Sequence, residues 1–364
     1  MLERTFLFFK DFDWFIFSLT LILAVIGITE IYSATQYDKS DSFYLKQIYF
    51  LILGLIIMVF AVSIDYHVFV ENVPYIYIGT VVSLILVLII APVVSGTRGW
   101  IPMGTFKIQP TEFAKVAIVL TLARLLSESR TEYLTFTDIF KACLLIGLPL
   151  GLVLLQPDLG SALTFFPPLA VGLLLGGLRR KWILSGIVLS VLITSLGWYN
   201  LKPYQKERIY TFLEPERDPR GHGYHAIQSR IAVGSGGLLG KGITQGSQTA
   251  LGFLPERHTD FIFSVVGEEL GFVGSVAILG LYFLIIMRAI HIAQTARDKL
   301  GIYLTLGSIS IILFHVLVNV GMVVGLMPIT GITLPLLSYG GSSMLSTFIL
   351  LGLIINVRMR RYIY

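Results

Sequence analysis

Apolar residues along this chain fall in long unbroken blocks, without the alternation of a half-buried strand. The blocks lie near 14–34, 44–64, 73–94, 111–127, 138–156, 159–178, 181–200, 261–288, 301–326 and 341–357. Each is about 17–28 residues long with few charges, which is the length a helix needs to cross a hydrocarbon core. Short connections between the fifth, sixth and seventh blocks predict tight antiparallel hairpins. One connection, 201–260, is much longer than the others. No internal repeat and no low-complexity segment interrupts the pattern. It predicts an all-α polytopic membrane protein, one integral domain over 1–364, with ten transmembrane helices.

Composition agrees. The 364 residues are 55% hydrophobic and 13% charged, with mean hydropathy +0.80, whereas a soluble domain carries about a quarter charged residues. The net charge of +5 does not indicate nucleic acid, because the cations are dispersed at the ends of the blocks. Cys143 is the single cysteine, which excludes an intrachain disulfide framework and fits no metal motif. Arg4 and Lys10 precede the first block without a small-residue cleavage site, so it reads as a retained helix.

The cations also set orientation. With both termini inside, the inner flanks hold fourteen Lys and Arg, from Arg4 and Lys10 through Arg124, Arg179–Lys181 and Arg288 to Arg358–Arg361. The short outer loops hold Lys39, Lys46, Arg98 and Lys107. The positive-inside rule therefore makes both termini cytoplasmic and 201–260 a large extracytoplasmic loop between helices 7 and 8. Asp260 then stands at the outer surface, at the N-terminus of helix 8.

Ionisable groups at membrane depth are costly and mark sites or pathways. Lys46 and Gln47 open helix 2 from outside, and Arg98 lies in SGTRGWIPMG. Gln109, Glu112 and Lys115 enter helix 4 in QPTEFAK, and Asp158 sits in the outer turn LQPDLGSA. LMPITGITLPLLSYGGSS, with Ser338, is the outer 9–10 connection, where Pro328, Gly331 and Pro335 argue against a continuous helix. These segments share the depth of Asp260 and predict one outward-facing cavity. Each residue also has a structural reading. Glu112 and Lys115, three apart, would neutralise each other on one helix face. Asp158 and Asp260 would serve as turn or cap residues. Of Glu268 and Glu269, deeper in helix 8, one would pair inside the bundle.

The run GSGGLLGKG, 234–242, resembles a nucleotide loop only superficially. A Walker loop ending at Lys241 needs glycine where Ser235 stands and Ser or Thr where Gly242 stands. A dinucleotide loop read from Gly234 needs glycine where Leu239 stands. A flexible loop bringing its amides and Lys241 to an anionic group remains open.

Several stretches resemble the SEDS family (shape, elongation, division and sporulation proteins), most closely its RodA-type branch. They are GTRGWIPMGTFKIQPTEFAK, QPDLGSAL, GYHAIQSRIAVGSGGLLGKG, FLPERHTDFIFSVVGEELGFVG and NVGMVVGLMPITGITLPLLSYGGSS. QPDLG and the short N-terminus favour RodA over the division paralogue FtsW; Arg257 stands where family members often have a small residue. The resemblance implies a ten-helix peptidoglycan glycosyltransferase in the bacterial cytoplasmic membrane, polymerising lipid II on its outer face for cell elongation and shape. It implies a class B penicillin-binding protein as partner, beside other elongation-complex membrane proteins. The family's essential acid falls on Asp260, and its cavity residues fall on Glu112, Lys115 and Asp158.

The chemistry fits this layout. An α-linked lipid-diphosphate sugar becomes a β-1,4-linked glycan by one inverting displacement, for which a single carboxylate suffices as general base. The diphosphate leaves without a protonating acid but needs its charge neutralised. Lys46, Arg98, Lys115, Arg208 and Lys241 are the outer cations available, and Mg or Mn is the alternative, held through Asp158. Two other readings use the same features: a lipid II flippase, and a non-catalytic scaffold for the penicillin-binding protein. A flippase needs access from both faces, whereas these residues gather on one.

Overall fold

The computed structural model describes residues 11–36, 42–94, 96–104, 106–129, 133–186, 210–217, 222–254 and 256–361, with single positions at 188, 195, 199 and 206. Arg208, Lys39 and most of the 181–200 block lie outside the described residues.

Long helices dominate, as the apolar blocks predict. They are α1 (Trp14–Thr35), α2 (Phe43–Ser63), the short α3 (Tyr66–Glu71), α4 (Val73–Ile90), α5 (Pro110–Ser127) and α6 (Phe136–Leu155). After these come α7 (Leu159–Leu163), α8 (Phe166–Leu175), α9 (His222–Ser235), α10 (Ser247–Ala250), α11 (Ile262–Glu269), α12 (Gly271–Gln294), α13 (Lys299–Val323) and α14 (Gly341–Met359). Among the described residues, α1, α2, α4, α6, α12, α13 and α14 are long and apolar enough to cross a membrane. Helix α5 has the length but carries Glu112, Lys115 and Arg124. Local chemistry sets the ends: Asp13 caps α1 through Ile16 N–H, Pro110 opens α5, and Thr135 with Asp138 forms a capping box on α6.

Of these seven spans, α13 and α14 are the most enclosed, while α4 presents most of its surface outward. The main core joins α1, α2 and α11–α14, and a second cluster joins α5–α8 around Ile118, Leu122 and Phe165. Exposed Ile89, Leu155 and Phe272 give the outside an apolar skin, the mark of a helix bundle immersed in lipid.

Four departures from the sequence reading have physical causes. The 159–178 block is two helices, broken at Thr164–Phe165, where Pro167 and Pro168 begin a new helix. The 261–288 block is also two helices, parted at Leu270, with Gly271 opening the second at φ +67°. A methyl group there would meet Gly240 N at 2.2 Å, so only glycine lets the glycine-rich run approach. Within the outer loop that carries Arg98 and Lys107, residues Ile101–Met103 and Phe106–Ile108 form two antiparallel strands pairing Ile101 with Ile108. The 201–260 connection is not an open loop: α9 packs on α11, and Ser229 bonds both Ser264, at 2.9 Å, and the Val323 carbonyl, at 2.8 Å.

The two ends of the bundle differ. At one, Asp13, fully buried, pairs with Arg288 at 2.9 Å and with Arg358, tying α1 to α12 and α14. Arg360 reaches Asp65 at 3.2 Å, and His67 lies between Asp65 and Asp298. At the other end are Gln109, Asp158, Asp260 and the 326–340 connection.

Candidate functional site

Residues 326–340 decide the geometry. Pro328 and Pro335 forbid a continuous helix, which frees backbone groups that must find partners at this depth. Side chains from the surrounding helices supply them. Asn319 donates to the Ile332 carbonyl at 2.8 Å, and His315 Nδ1 contacts the Thr333 carbonyl at 2.9 Å. The Tyr282 hydroxyl bonds the Pro335 carbonyl, and Gln47 holds both the Ser338 carbonyl and Gly340 N–H. Ser338 accepts from Leu334 N–H at 2.8 Å and donates to the Thr259 carbonyl at 2.7 Å. Leu336, buried, sits at φ +68°, a strained conformation for a branched side chain that the surrounding bonds hold in place.

Asp260 is attached to this loop. Asn319 donates its second amide hydrogen to the Asp260 carbonyl at 2.8 Å, and Tyr339 N–H donates to the His258 carbonyl at 2.8 Å. The Asp260 Oδ2 atom lies 3.5 Å from where a side chain on Gly331 would begin. The sequence places Asp260 at the helix N-terminus. The helix in fact starts at Ile262 with Phe261 in the cap position, so Asp260 stands one residue outside the cap, half-buried beside the loop.

Glu112 and Lys115 form the ion pair their spacing allows, at 2.6 Å and almost wholly buried. Ser346 donates to Glu112 at 2.9 Å, and Lys115 Nζ meets His315 Nε2 at 3.0 Å. Since the ammonium only donates and the Thr333 carbonyl only accepts, His315 must be the neutral tautomer with hydrogen on Nδ1. Lys115 is thus enclosed by Glu112 and His315 rather than presented to a ligand.

Asp158 caps α7 through Ser161 N–H at 3.0 Å, as its turn reading predicts, and also takes bonds from Ser161 Oγ and Gln109 Nε2. Gln109 N–H donates to Ser342 at 2.9 Å, which links this cluster to α14. A methyl on Gly160 would lie 2.3 Å from the Thr330 carbonyl oxygen, so α7 rests directly on the loop beside Asp260. Residues 330–333 therefore join the Asp158 cluster, the Glu112–Lys115–His315 chain and Asp260.

The cations divide. Arg98 is exposed, its N–H tied to the Gln156 carbonyl beside Asp158. Lys46 lies over the Phe43 ring, which stacks on His258 two residues before Asp260. Lys241 is elsewhere: its ammonium bonds Glu268, Ser235 and Ser247 at 2.7–2.9 Å, and that is the pairing expected for one of the two glutamates. The 241 and 242 amides bond the Glu268 and Glu269 carbonyls at the end of α11. Thus the glycine-rich run closes a helix terminus. Ser338, expected to meet substrate, is a buried brace.

No group of three His, Cys, Asp or Glu side chains fit to hold a metal occurs among the described residues. Asp158 already accepts three hydrogen bonds, so its donor set does not fit a protein-caged divalent ion. A cavity of about 370 Å³ lined by Tyr133, Phe136, Arg179, Lys181 and Trp182 lies at the far end of α6 from Asp158. Sequence reasoning missed His315, Asn319, Ser342 and Ser346, and also Glu30, a buried acid on α1.

A membrane bundle whose broken connection lies between an acid and a chain of side chains leading to a buried ion pair defines a class of polytopic protein with a site at one end. Comparison with known proteins names the class. The cell cycle protein family of FtsW, RodA and SpoVE matches residues 10–363. The peptidoglycan glycosyltransferase MrdB of Escherichia coli K12 is 40% identical over 311 residues, 85% of this chain and 84% of that one. Stage V sporulation protein E of Bacillus subtilis is 39% identical, covering 96% of this chain and 98% of that one. Among solved structures, a chain of a peptidoglycan synthase complex superposes with TM-score 0.84 at 33% identity, covering 97% of this chain and 99% of that one. RodA of Thermus thermophilus superposes at 0.72 with 30% identity, over 96% and 98%. The chain belongs to this FtsW/RodA/SpoVE family, the SEDS proteins, and is a multi-pass membrane protein of the RodA type.

Proposed function

We propose that this protein is a peptidoglycan glycosyltransferase that polymerises lipid II, with Asp260 as general base. The observation that carries the reading is the attachment of Asp260 to the 330–333 loop, where the Asp158 cluster and the Glu112–Lys115 pair converge. It acts as a ten-helix protein of the bacterial cytoplasmic membrane, with cytoplasmic termini, a large outer connection between helices 7 and 8 and the Asp260 end outside. The Arg-rich end around Asp13 and Asp65 supports that orientation through the positive-inside rule.

The acceptor sugar hydroxyl attacks the anomeric carbon of the lipid-linked donor from the face opposite the diphosphate. Its proton passes to the Asp260 carboxylate as the new β-1,4 bond forms. The bond to the diphosphate breaks with its electron pair, so charge grows on the leaving group. Arg98 and Lys46 flank the loop and supply the compensating charge, with Arg208 a further cation on the 201–260 connection; Lys241 is committed to Glu268. Gln109, Asp158 and Ser338 shape the walls, and buried Lys115 and Glu112 underlie the loop. Mg or Mn would enter as a companion of the diphosphate oxygens, where such ions keep most of their water.

The MrdB relative is a peptidoglycan glycosyltransferase by name, and the complex that shares this fold coordinates polymerization and crosslinking. Those likenesses support a crosslinking partner here, a class B penicillin-binding protein, with other elongation-complex membrane proteins nearby. Purified protein with its partner should convert lipid II into glycan strands. Failure to do so, with lipid II carried between leaflets instead, would establish the flippase.

A further inference from the structure

His315 and Asn319 stand one helical turn apart on α13 and face the same stretch of irregular backbone. His315 grips the Thr333 carbonyl, and Asn319 grips the Ile332 carbonyl next to it. Both partners of Asn319 Nδ2 are carbonyl oxygens, the second being that of Asp260, so the amide orientation is fixed by chemistry. One buried side chain thereby sets the distance between the 330–333 loop and Asp260. His315 is in turn anchored through Nε2 to Lys115, which is held by Glu112. A continuous polar path runs from Ser346 on α14 through α5 to α13 and ends on the backbone beside Asp260.

We propose that Asn319 and His315 are positioning residues that fix the Asp260 carboxylate for proton abstraction, and that the Glu112–Lys115 pair acts on the reaction through them. The proposal rests on Asp260 as the base. Neither side chain needs to touch substrate: both are buried, and their hydrogen bonds go to the Thr333, Ile332 and Asp260 carbonyls and to Lys115. The geometry of His315 makes a specific demand, one acceptor toward Lys115 and one donor toward Thr333. Glutamine meets it with its amide oxygen and nitrogen, whereas leucine fills similar space and meets neither.

The test is steady-state polymerisation of fluorescent lipid II by the purified protein–partner complex, with rates normalised to folded, monodisperse protein. Asn319→Leu and His315→Leu should lower kcat by about 10–100-fold, the effect of displacing a reacting group by roughly an ångström. KM should stay within about threefold, because ground-state binding is untouched. His315→Gln should retain most of the wild-type kcat. If the leucine variants do not fold, Asn319→Ser, which keeps one donor, should still show reduced kcat at unchanged KM. Wild-type kcat in the leucine or serine variants, with Asp260→Asn inactive, would overturn the positioning role alone. A raised KM with unchanged kcat would do the same and make the pair substrate-binding. Full activity in Asp260→Asn would overturn the base assignment itself.

Discussion

Replacing Lys115 by methionine separates stability from chemistry at the buried pair. At 2.6 Å the direct attraction is about 6 kcal/mol at an effective dielectric of ~20. Desolvation of both groups offsets most of that, so the pair adds little net stability, but an orphaned Glu112 is costly. Only Ser346 would remain to satisfy it. Lys115→Met should therefore destabilise by about 3–5 kcal/mol, seen as a melting temperature lower by roughly 5 °C or more in detergent. Glu112→Gln/Lys115→Met removes both charges and should recover most of the stability. Glycan synthesis by the double variant should nevertheless stay well below wild type, because His315 Nε2 has lost its anchor. Thermal unfolding followed by size-exclusion chromatography, beside lipid II polymerisation, reads both quantities. A single variant that melts with wild type, or a double variant with full activity, would refute the reasoning.

Three further outcomes follow from the same structure. Gly160→Ala should push on the Thr330 carbonyl, costing about 1–3 kcal/mol and lowering glycan synthesis more than stability alone explains; full activity would show that the loop tolerates displacement. The His67 and Arg360 contacts hold the Asp65 carboxyl below its ordinary value against the partial burial that would raise it. Its stabilising contribution is thus complete above pH ~4 and lost as pH falls through the lowered folded value, so wild type and Asp65→Asn should converge in melting temperature only in acid. In a background lacking Cys143, cysteine at 214 should label from outside the cell and cysteine at 294 only from inside; labelling of both from one face would break the proposed topology.

Much of this was legible in the sequence because burial in lipid leaves long, unmistakable apolar blocks. The pairing of Glu112 with Lys115 followed from their spacing, and the irregular 326–340 connection followed from its prolines. The two broken helices were not read from the apolar blocks. Pro167 and Pro168 mark the first break in the sequence, whereas the second, at Gly271, depends on the distant approach of Gly240. Lys241 looked available for an anion because Glu268, its partner, lies 27 residues away along the chain. His315 and Asn319 sit one turn apart in the apolar second half of α13, which was a signal, but their carbonyl partners are set by tertiary contact. Glu30 carried a similar signal, an acid in an apolar block. Asp260 stood out as an acid at the outer mouth of helix 8, and the family resemblance gave it its essential role; its exact setting, outside the cap and beside Gly331, came only from the fold.

The most direct test of the central claim is glycan synthesis by purified Asp260→Asn protein with its crosslinking partner. Asparagine keeps the size of the side chain and leaves the backbone carbonyl that Asn319 holds, so folding and partner binding should persist. Without a base, polymerisation of lipid II should fall by about 100–10,000-fold. Near-normal glycan synthesis by this variant would contradict the account.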